Sequence, residues 1–148
     1  MQAFDAGFSH SLSPVCYNGD IFTVDGYKKL TERYPELNRV MLGRGIVTNP
    51  GLLAHIKTGE PVALDAYREF HYRLYQGYKE QFLVSSGERV VLFKMKEVWC
   101  YMISMFRDSK RHEKKIKKSQ SLREYEAAVG ALFREGDFAP CQGYQPKL

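Results

Sequence analysis

The sequence contains few cysteines and no long hydrophobic run, and these two shortages exclude several classes of protein. Its three cysteines, Cys16, Cys100 and Cys141, form no CxxC pair, so neither a disulfide framework nor a zinc site is indicated. No apolar run approaches the ~18–20 residues of a membrane span, and residues 1–10 lack the basic start and apolar stretch of a signal peptide. We therefore expect a soluble, cytoplasmic protein without a metal ion.

Motifs of several enzyme classes are also missing. The sequence has no Ser/His/Asp arrangement, no P-loop and no EF-hand pattern. His55, His71 and His112 have no carboxylate or cysteine at ligand spacing, so we interpret them as surface or hydrogen-bonded histidines rather than metal ligands. Cys16 is interpreted as a small buried residue of a strand.

The amino-acid composition predicts a folded protein of modest size. The 148 residues are 44% hydrophobic and 14% aromatic, well above the composition of a disordered polar chain. A chain of this length can form the hydrophobic core of one domain or of two small domains, and it is too short for a large multidomain enzyme.

Basic residues are concentrated in one segment. The chain carries a formal net charge of +5, but residues 94–123 contain ten lysines and arginines against three acidic residues. This segment therefore has a charge of +7, and the rest of the chain has a charge of −2. The distribution favours a surface that binds a polyanion, with nucleic acid as the leading candidate. A solvated helical face explains the composition alone about equally well.

Two units of strand and helix are predicted in the first third. Short apolar runs at 14–17 and 40–42 have the length of buried strands, and helical spacings follow at 25–35 and 51–57. Asn49-Pro50 has the form of an N-cap followed by proline in the first helical position. Two such units normally belong to a parallel sheet.

Each predicted strand ends in a glycine-containing corner. Asn18-Gly19-Asp20 follows the first strand, and Gly43-Arg44-Gly45 follows the second. Glycine lets the backbone approach a ligand closely, and an arginine next to a helix start donates hydrogen bonds to phosphate. In eight-stranded α/β barrels a phosphate commonly binds at the loops after strands seven and eight. Taken alone, Asn-Gly favours a simple tight turn, but the pair of corners favours a phosphate site.

From residue 61 onward the spacing predicts only helices. Asp65 caps a helix that ends near 85–87, and a second helix carries one apolar stripe from Met95 to Phe106. The first helix is crowded with tyrosines, whose rings can stack on bases. Packing explains two of these, Tyr67 and Tyr78, because they lie on the apolar stripe.

A capping box opens the last predicted helix. Ser121 and Glu124 match the pattern S-x-x-E, and the helix ends near Gly136. The lysine-rich stretch 108–120 is predicted to be partly helical. Residues 137–148 contain little to pack and are predicted to form a loose tail.

Five stretches together resemble the tRNA-dihydrouridine synthase family. PVCYNGDI (14–21), RVMLGRG (39–45) and NPGLL (49–53) are similar to the end of its barrel. FKMKEVWCYM (93–102) and LREYEAAV (122–129) are similar to the helical domain that follows. The resemblance covers roughly residues 12–135, in the order of the family.

The resemblance implies a fold class of α/β followed by all-α, as the C-terminal fragment of a TIM (β/α)8 barrel and an antiparallel helical bundle. Residues 1–58 are then the last two βα units of an FMN-binding barrel, 62–136 a helical tRNA-binding domain, and 137–148 the tail. The family's catalytic cysteine, flavin-contacting lysine and substrate-binding histidine lie before the part that this chain resembles. We therefore expect no catalytic residue here and no catalysis by this chain alone.

The resemblance also implies which reaction is catalysed and which residues contact FMN and tRNA. Enzymes of the family use FMN, reduced by NADPH, to saturate the C5–C6 bond of uridines in tRNA. Five residues match the FMN contacts of the family: Asn18, Gly19, Asp20, Gly43 and Arg44. Eight basic residues are candidates for contacts with tRNA phosphates: Lys94, Arg107, Lys110, Arg111, Lys114, Lys115, Lys117 and Lys118.

The expected partners are tRNA and either an upstream complementing polypeptide or a second copy that covers exposed strand edges. Two other functions stay open. One is another FMN barrel oxidoreductase, similar to an ene-reductase, and the other is a non-catalytic RNA-binding helical module. The basic segment argues against the ene-reductase, because a reductase of small molecules needs no such surface.

Overall fold

The computed structural model of the chain describes residues 2–140 and 142–144 and is mostly helical. The helices are α1 (Gln2–His10), α2 (Val24–Arg33), α3 (Gly43–Thr48), α4 (Leu52–Thr58), α5 (Leu64–Ser86), α6 (Glu88–Met102), α7 (Lys110–Lys118) and α8 (Leu122–Glu135). The strands are β1 (Tyr17–Asn18), β2 (Val40–Met41), β3 (Phe106–Arg107) and β4 (Asp137–Phe138). Among the described residues, none of the helices combines the length and hydrophobicity needed to cross a bilayer.

The two predicted βα units are present, and their strands pair in parallel. Tyr17 lies opposite Val40 and Asn18 opposite Met41. Helix α2 connects the two strands, and Thr23 caps it by accepting a hydrogen bond from the Gly26 N–H at 3.0 Å. The predicted parallel pairing is confirmed, but this sheet has two strands within the described residues, whereas a closed barrel has eight. Within the described residues the fold is thus an α/β unit followed by helices, which is compatible with a fragment of such a barrel.

Helix α1 precedes β1 and was not among the predicted elements. Its rings at Phe4 and Phe8 pack on Tyr34, with centroids 5.2 and 5.5 Å apart. Asp5 accepts hydrogen bonds from Arg33 at 3.0 Å and from the Tyr34 hydroxyl. Phe4 and Phe8 are four residues apart and therefore lie on one helical face, which covers the small core of the α/β unit.

Helices α5 to α8 build the larger core. Helices α5 and α6 are joined at Gly87, whose φ of 83° is accessible to glycine at low cost. Five of the fully buried side chains come from three of these helices: Tyr67, Val91, Met95, Tyr125 and Leu132. The apolar stripes that predicted these helices are therefore the core positions.

The end of the apolar stripe on α6 was predicted wrongly. Helix α6 ends at Met102 and a short 3₁₀ helix follows, so that Phe106 begins β3 instead of continuing the helix. Strand β3 pairs antiparallel with β4, with Phe106 opposite Phe138. A helical spacing and a buried strand end both place an apolar residue in the core, which is why the pattern could not separate them.

The described part of the tail is packed, contrary to the prediction of a loose segment. Phe138 lies 5.1 Å from the Tyr67 ring, and the Ala139 N–H donates to the Met105 carbonyl at 2.7 Å. Tyr144 lies between Phe22 of the α/β unit and Tyr101 of α6, at 5.1 and 5.2 Å. These partners are distant in sequence, so no local pattern revealed them.

One buried hydroxyl connects the α/β unit to the helices. The hydroxyl of Tyr67 lies 3.0 Å from the Thr48 carbonyl and 2.9 Å from the Met102 carbonyl. Burial raises the pKa of Tyr67 well above its ordinary value. The hydroxyl therefore stays protonated and links the end of α3 to the end of α6.

Candidate functional site

The two glycine corners lie side by side. Because β1 and β2 are parallel, their carboxyl ends are at one edge of the pair, and both corners follow that edge. An ion pair joins them, with Arg44 Nη2 2.5 Å from Asp20 Oδ1. The Arg44 side chain is 57% exposed and that of Asp20 is 37% exposed. The structure therefore brings together all five residues for which FMN contacts were predicted.

The glycines of the second corner have different surroundings. The predicted Gly43-Arg44-Gly45 loop is the first turn of α3. A Cβ added to Gly43 would meet nothing within 4 Å, whereas one added to Gly45 would collide with the Ile21 carbonyl oxygen and approach Leu52 Cδ2 at 3.0 Å. Gly45 is therefore required by packing between α3 and the first unit, and Gly43 leaves open space beside Arg44.

Half of the predicted RNA-binding residues converge on one groove. Helices α7 and α8 enclose a groove of about 600 Å³. Four cations line it: Arg111, Lys114, Lys115 and Lys118. They recur at three, four and seven residues and therefore share one face of α7. The opposite wall is formed by Glu124 and three small residues of α8: Ala127, Ala128 and Ala131.

The other four predicted cations lie outside the lining of this groove. Lys117 is paired with Glu113 at 2.5 Å, and the hydrogen bond from Lys117 to that carboxylate raises the pKa of Lys117. Arg107 lies 3.7 Å from Asp137 on the neighbouring strand. Lys94 is exposed on α6 and Lys110 is exposed at the start of α7. The basic segment is therefore not one surface.

Local capping sets the positions of α7 and α8. Ser121 Oγ accepts from the Glu124 N–H at 3.2 Å, while Glu124 accepts from the Gln120 N–H at 2.8 Å. The predicted capping box is confirmed, except that the glutamate reaches the residue before the cap. Lys96 Nζ donates to the Ser119 carbonyl at 2.5 Å at the end of α7. This lysine holds a helix end, a role that its place in a basic stretch did not indicate.

Comparison with protein families yields one match. The family model described as dihydrouridine synthase (Dus) matches residues 8–136. The chain belongs to the dihydrouridine synthase family. Comparison with curated proteins and with solved structures gives no match. The matched residues of the dihydrouridine synthase family contain both glycine corners and the α7/α8 groove.

The cysteines of this dihydrouridine synthase family member form no reactive cluster in the described residues. Cys16 is exposed and precedes the two-residue strand β1, so the prediction that it is buried in a strand is wrong. Cys100 is also exposed, with its thiol 3.4 Å from the Lys96 carbonyl. Cys141 lies outside the described residues. No group of metal-ligating side chains occurs in the part of the chain that the structure describes.

A buried polar network was missed by the sequence analysis of this dihydrouridine synthase family member. His71 Nε2 lies 2.7 Å from the Tyr125 hydroxyl, and the Trp99 indole N–H donates to the same hydroxyl at 2.7 Å. An indole is only a donor, so the hydroxyl accepts from Trp99, and within the described residues His71 Nε2 is the acceptor in reach of the hydroxyl's own proton. Burial lowers the pKa of His71 to about 4, so the ring is neutral with its proton on Nδ1. The four-residue steps Tyr67, His71 and Tyr75 were a signal that His71 faces the core.

Proposed function

We propose that this chain acts in an FMN-dependent tRNA-dihydrouridine synthase, in which it holds the phosphate end of FMN and binds tRNA. The family match supports the reaction class. The contact between Asp20 and Arg44 supports the cofactor site, because it unites two corners that lie about 24 positions apart in the sequence. The cationic groove supports the RNA contact.

The residues at the corners fit the phosphate and ribityl end of FMN. The exposed Arg44 guanidinium carries the charge and the donors that a phosphate requires. The open space at Gly43 gives a phosphate access to the backbone next to that guanidinium. The Asp20 carboxylate accepts hydrogen bonds from hydroxyls, and the amide of the exposed Asn18 both donates and accepts.

When bound, FMN supplies the hydride that saturates the C5–C6 bond of uridine. The residues of this chain hold the phosphate end of FMN and orient the cofactor. Arg44 neutralises the phosphate, Asp20 fixes Arg44 and accepts from hydroxyls, and Gly19 gives the first corner its shape because a Cβ there would collide with the Tyr17 ring. Neither Cys16 nor Cys100 matches the family's catalytic cysteine. We therefore propose that proton delivery to uridine depends on residues other than these.

The RNA contact follows from charge and shape. A row of four cations on one helical face is suited to phosphates along a backbone, which give affinity without reading bases. The alanine wall leaves space for the backbone to lie close to α8. The proposed tRNA surface is therefore the α7/α8 groove, with the outer cations in supporting positions.

Arg44→Ala is expected to weaken FMN binding about ten- to a hundredfold, because a charge-assisted hydrogen bond to phosphate contributes about 1.5–3 kcal/mol. Riboflavin, which lacks the phosphate, should bind the variant and the unaltered chain equally. Flavin fluorescence during titration measures both affinities. Arg33→Ala is the matched control, because Arg33 is an exposed arginine that pairs with Asp5 away from the corners.

Equal loss of FMN and riboflavin affinity in Arg44→Ala would contradict the assignment of Arg44 to the phosphate. A chain that binds tRNA but neither flavin would instead support the non-catalytic RNA-binding module. Dihydrouridine formation with FMN, NADPH and tRNA, measured by mass spectrometry of the tRNA, tests the proposal that this chain alone does not catalyse the reduction.

A further inference from the structure

A second cavity lies on the other side of α8, between α8 and α5. Its volume is about 260 Å³, just below the ~300–1,000 Å³ of pockets for drug-sized ligands. Neither the glycine corners nor the α7 cations line it. The size suits one planar ring system rather than a whole cofactor.

The floor of this cavity contains a histidine with a free donor. His71 is 7% exposed and lines the cavity. Its Nε2 accepts from the Tyr125 hydroxyl, so the proton of the neutral ring is on Nδ1. Among the hydrogen bonds of the described residues none involves His71 Nδ1, and this atom is not one of the fully buried atoms without a partner, so it reaches the space of the cavity. The N–H is therefore available to a molecule that enters the cavity.

The walls of the cavity are aromatic and its rim is polar. Tyr75 is buried, and its ring stacks with the His71 ring at 6.2 Å with an interplanar angle of 16°. Tyr72 is 55% exposed at the rim, next to Gln76. The Arg68 guanidinium also lines the opening, is 55% exposed and forms an ion pair with Asp65 at 2.6 Å. Aromatic faces, an N–H donor and an amide are the groups that bind a flat heterocycle bearing carbonyl oxygens.

We propose that this cavity receives one unpaired nucleobase of the bound RNA, with Tyr72 stacking on the base and His71 Nδ1–H donating to a carbonyl oxygen of it. The proposal rests on the proposed RNA-binding function. Adjacent residues of α8 face the two sites, since Ala127 lines the groove and Glu126 the cavity. A strand held by the α7 cations therefore passes within the width of one helix of the cavity, about 10 Å.

Tyr72→Ala is expected to lower the affinity for unmodified tRNA about tenfold, because stacking of one base on an aromatic ring has an effect of that order. The slope of log affinity against log salt should not change, since stacking releases no counterions. Phe93→Ala is the matched control, because Phe93 is a 72% exposed aromatic residue that does not line the cavity. Tyr72→Phe should bind as the unaltered chain does.

A second measurement follows the cavity directly. Uridine 5′-monophosphate should shift the ¹⁵N resonance of His71 Nδ1 in the full chain, and ribose 5-phosphate, which has the phosphate but no base, should not. An unmoved His71 resonance, or equal tRNA affinity in Tyr72→Ala and the unaltered chain, would overturn the base site. Failure of the unaltered chain to bind tRNA at any salt concentration would instead overturn the proposed function on which the site rests.

Discussion

Replacing the four groove cations, Arg111, Lys114, Lys115 and Lys118, by glutamine is expected to weaken tRNA binding about a hundredfold at moderate salt. Each cation that neutralises a phosphate releases counterions, so the slope of log affinity against log salt should become about three units less steep. Filter binding or fluorescence anisotropy between about 50 and 200 mM salt measures both quantities. Ile116 is the buried position of α7 and stays unchanged, so the helix should remain folded.

A control variant can be made that loses the same number of positive charges as the groove variant. Replacing Lys94, Arg107, Lys110 and Lys117 by glutamine removes the same four charges from the same basic segment, but from positions outside the groove lining. This variant should keep most of the affinity and nearly the full salt slope. Equal losses in the two variants would show that binding depends on net charge, and the groove would then have no special role.

The folded chain is expected to lose about 3 kcal/mol of its free energy of unfolding between pH 6.5 and pH 4 through His71 alone. Burial lowers the pKa of His71 from 6.5 to about 4. Between these values the unfolded chain binds the proton and the folded chain does not, so acid favours unfolding. The stabilisation is complete above pH 6.5, decreases as the pH falls through this window, and changes no further below about 4.

Denaturant unfolding at several pH values measures this effect by comparison of variants. His71→Gln should flatten the dependence on pH over the window, whatever its stability at neutral pH. His55→Gln is the control, because His55 is half-buried on α4 and belongs to no such network. An unchanged pH dependence in His71→Gln would mean that His71 becomes protonated in the folded chain as readily as in the unfolded one.

Local sequence patterns predicted the helices and strands that depend only on residues near each other in the sequence. Strand β2 lies within the predicted run 40–42, whereas β1 is Tyr17–Asn18 and overlaps the predicted run 14–17 only at Tyr17. The start of α8 follows from the capping box at Ser121. The helices α5 and α6 follow from periodic apolar positions. These signals need only a few consecutive residues, and the structure contains each of these elements within a few positions of the prediction.

The same local patterns do not predict contacts between residues that are distant in the sequence. Strand β4 exists because Phe138 pairs with Phe106, and α1 packs because Phe4 and Phe8 meet Tyr34. The corner residues were predicted to meet, since parallel strands end at one edge. The division of the eight cations was not predictable, because it depends on which face of α7 is turned toward α8.

The reactivity of individual lysines shows directly whether the α7/α8 groove of this dihydrouridine synthase family member holds the RNA backbone, as we propose. The full chain is acetylated with and without tRNA. Mass spectrometry then measures the extent of acetylation at every lysine in one sample. We expect tRNA to protect Lys114, Lys115 and Lys118 together, while Lys94 and Lys110 react as in the free chain. Uniform protection of all five lysines, or protection of Lys94 and Lys110 alone, would contradict it.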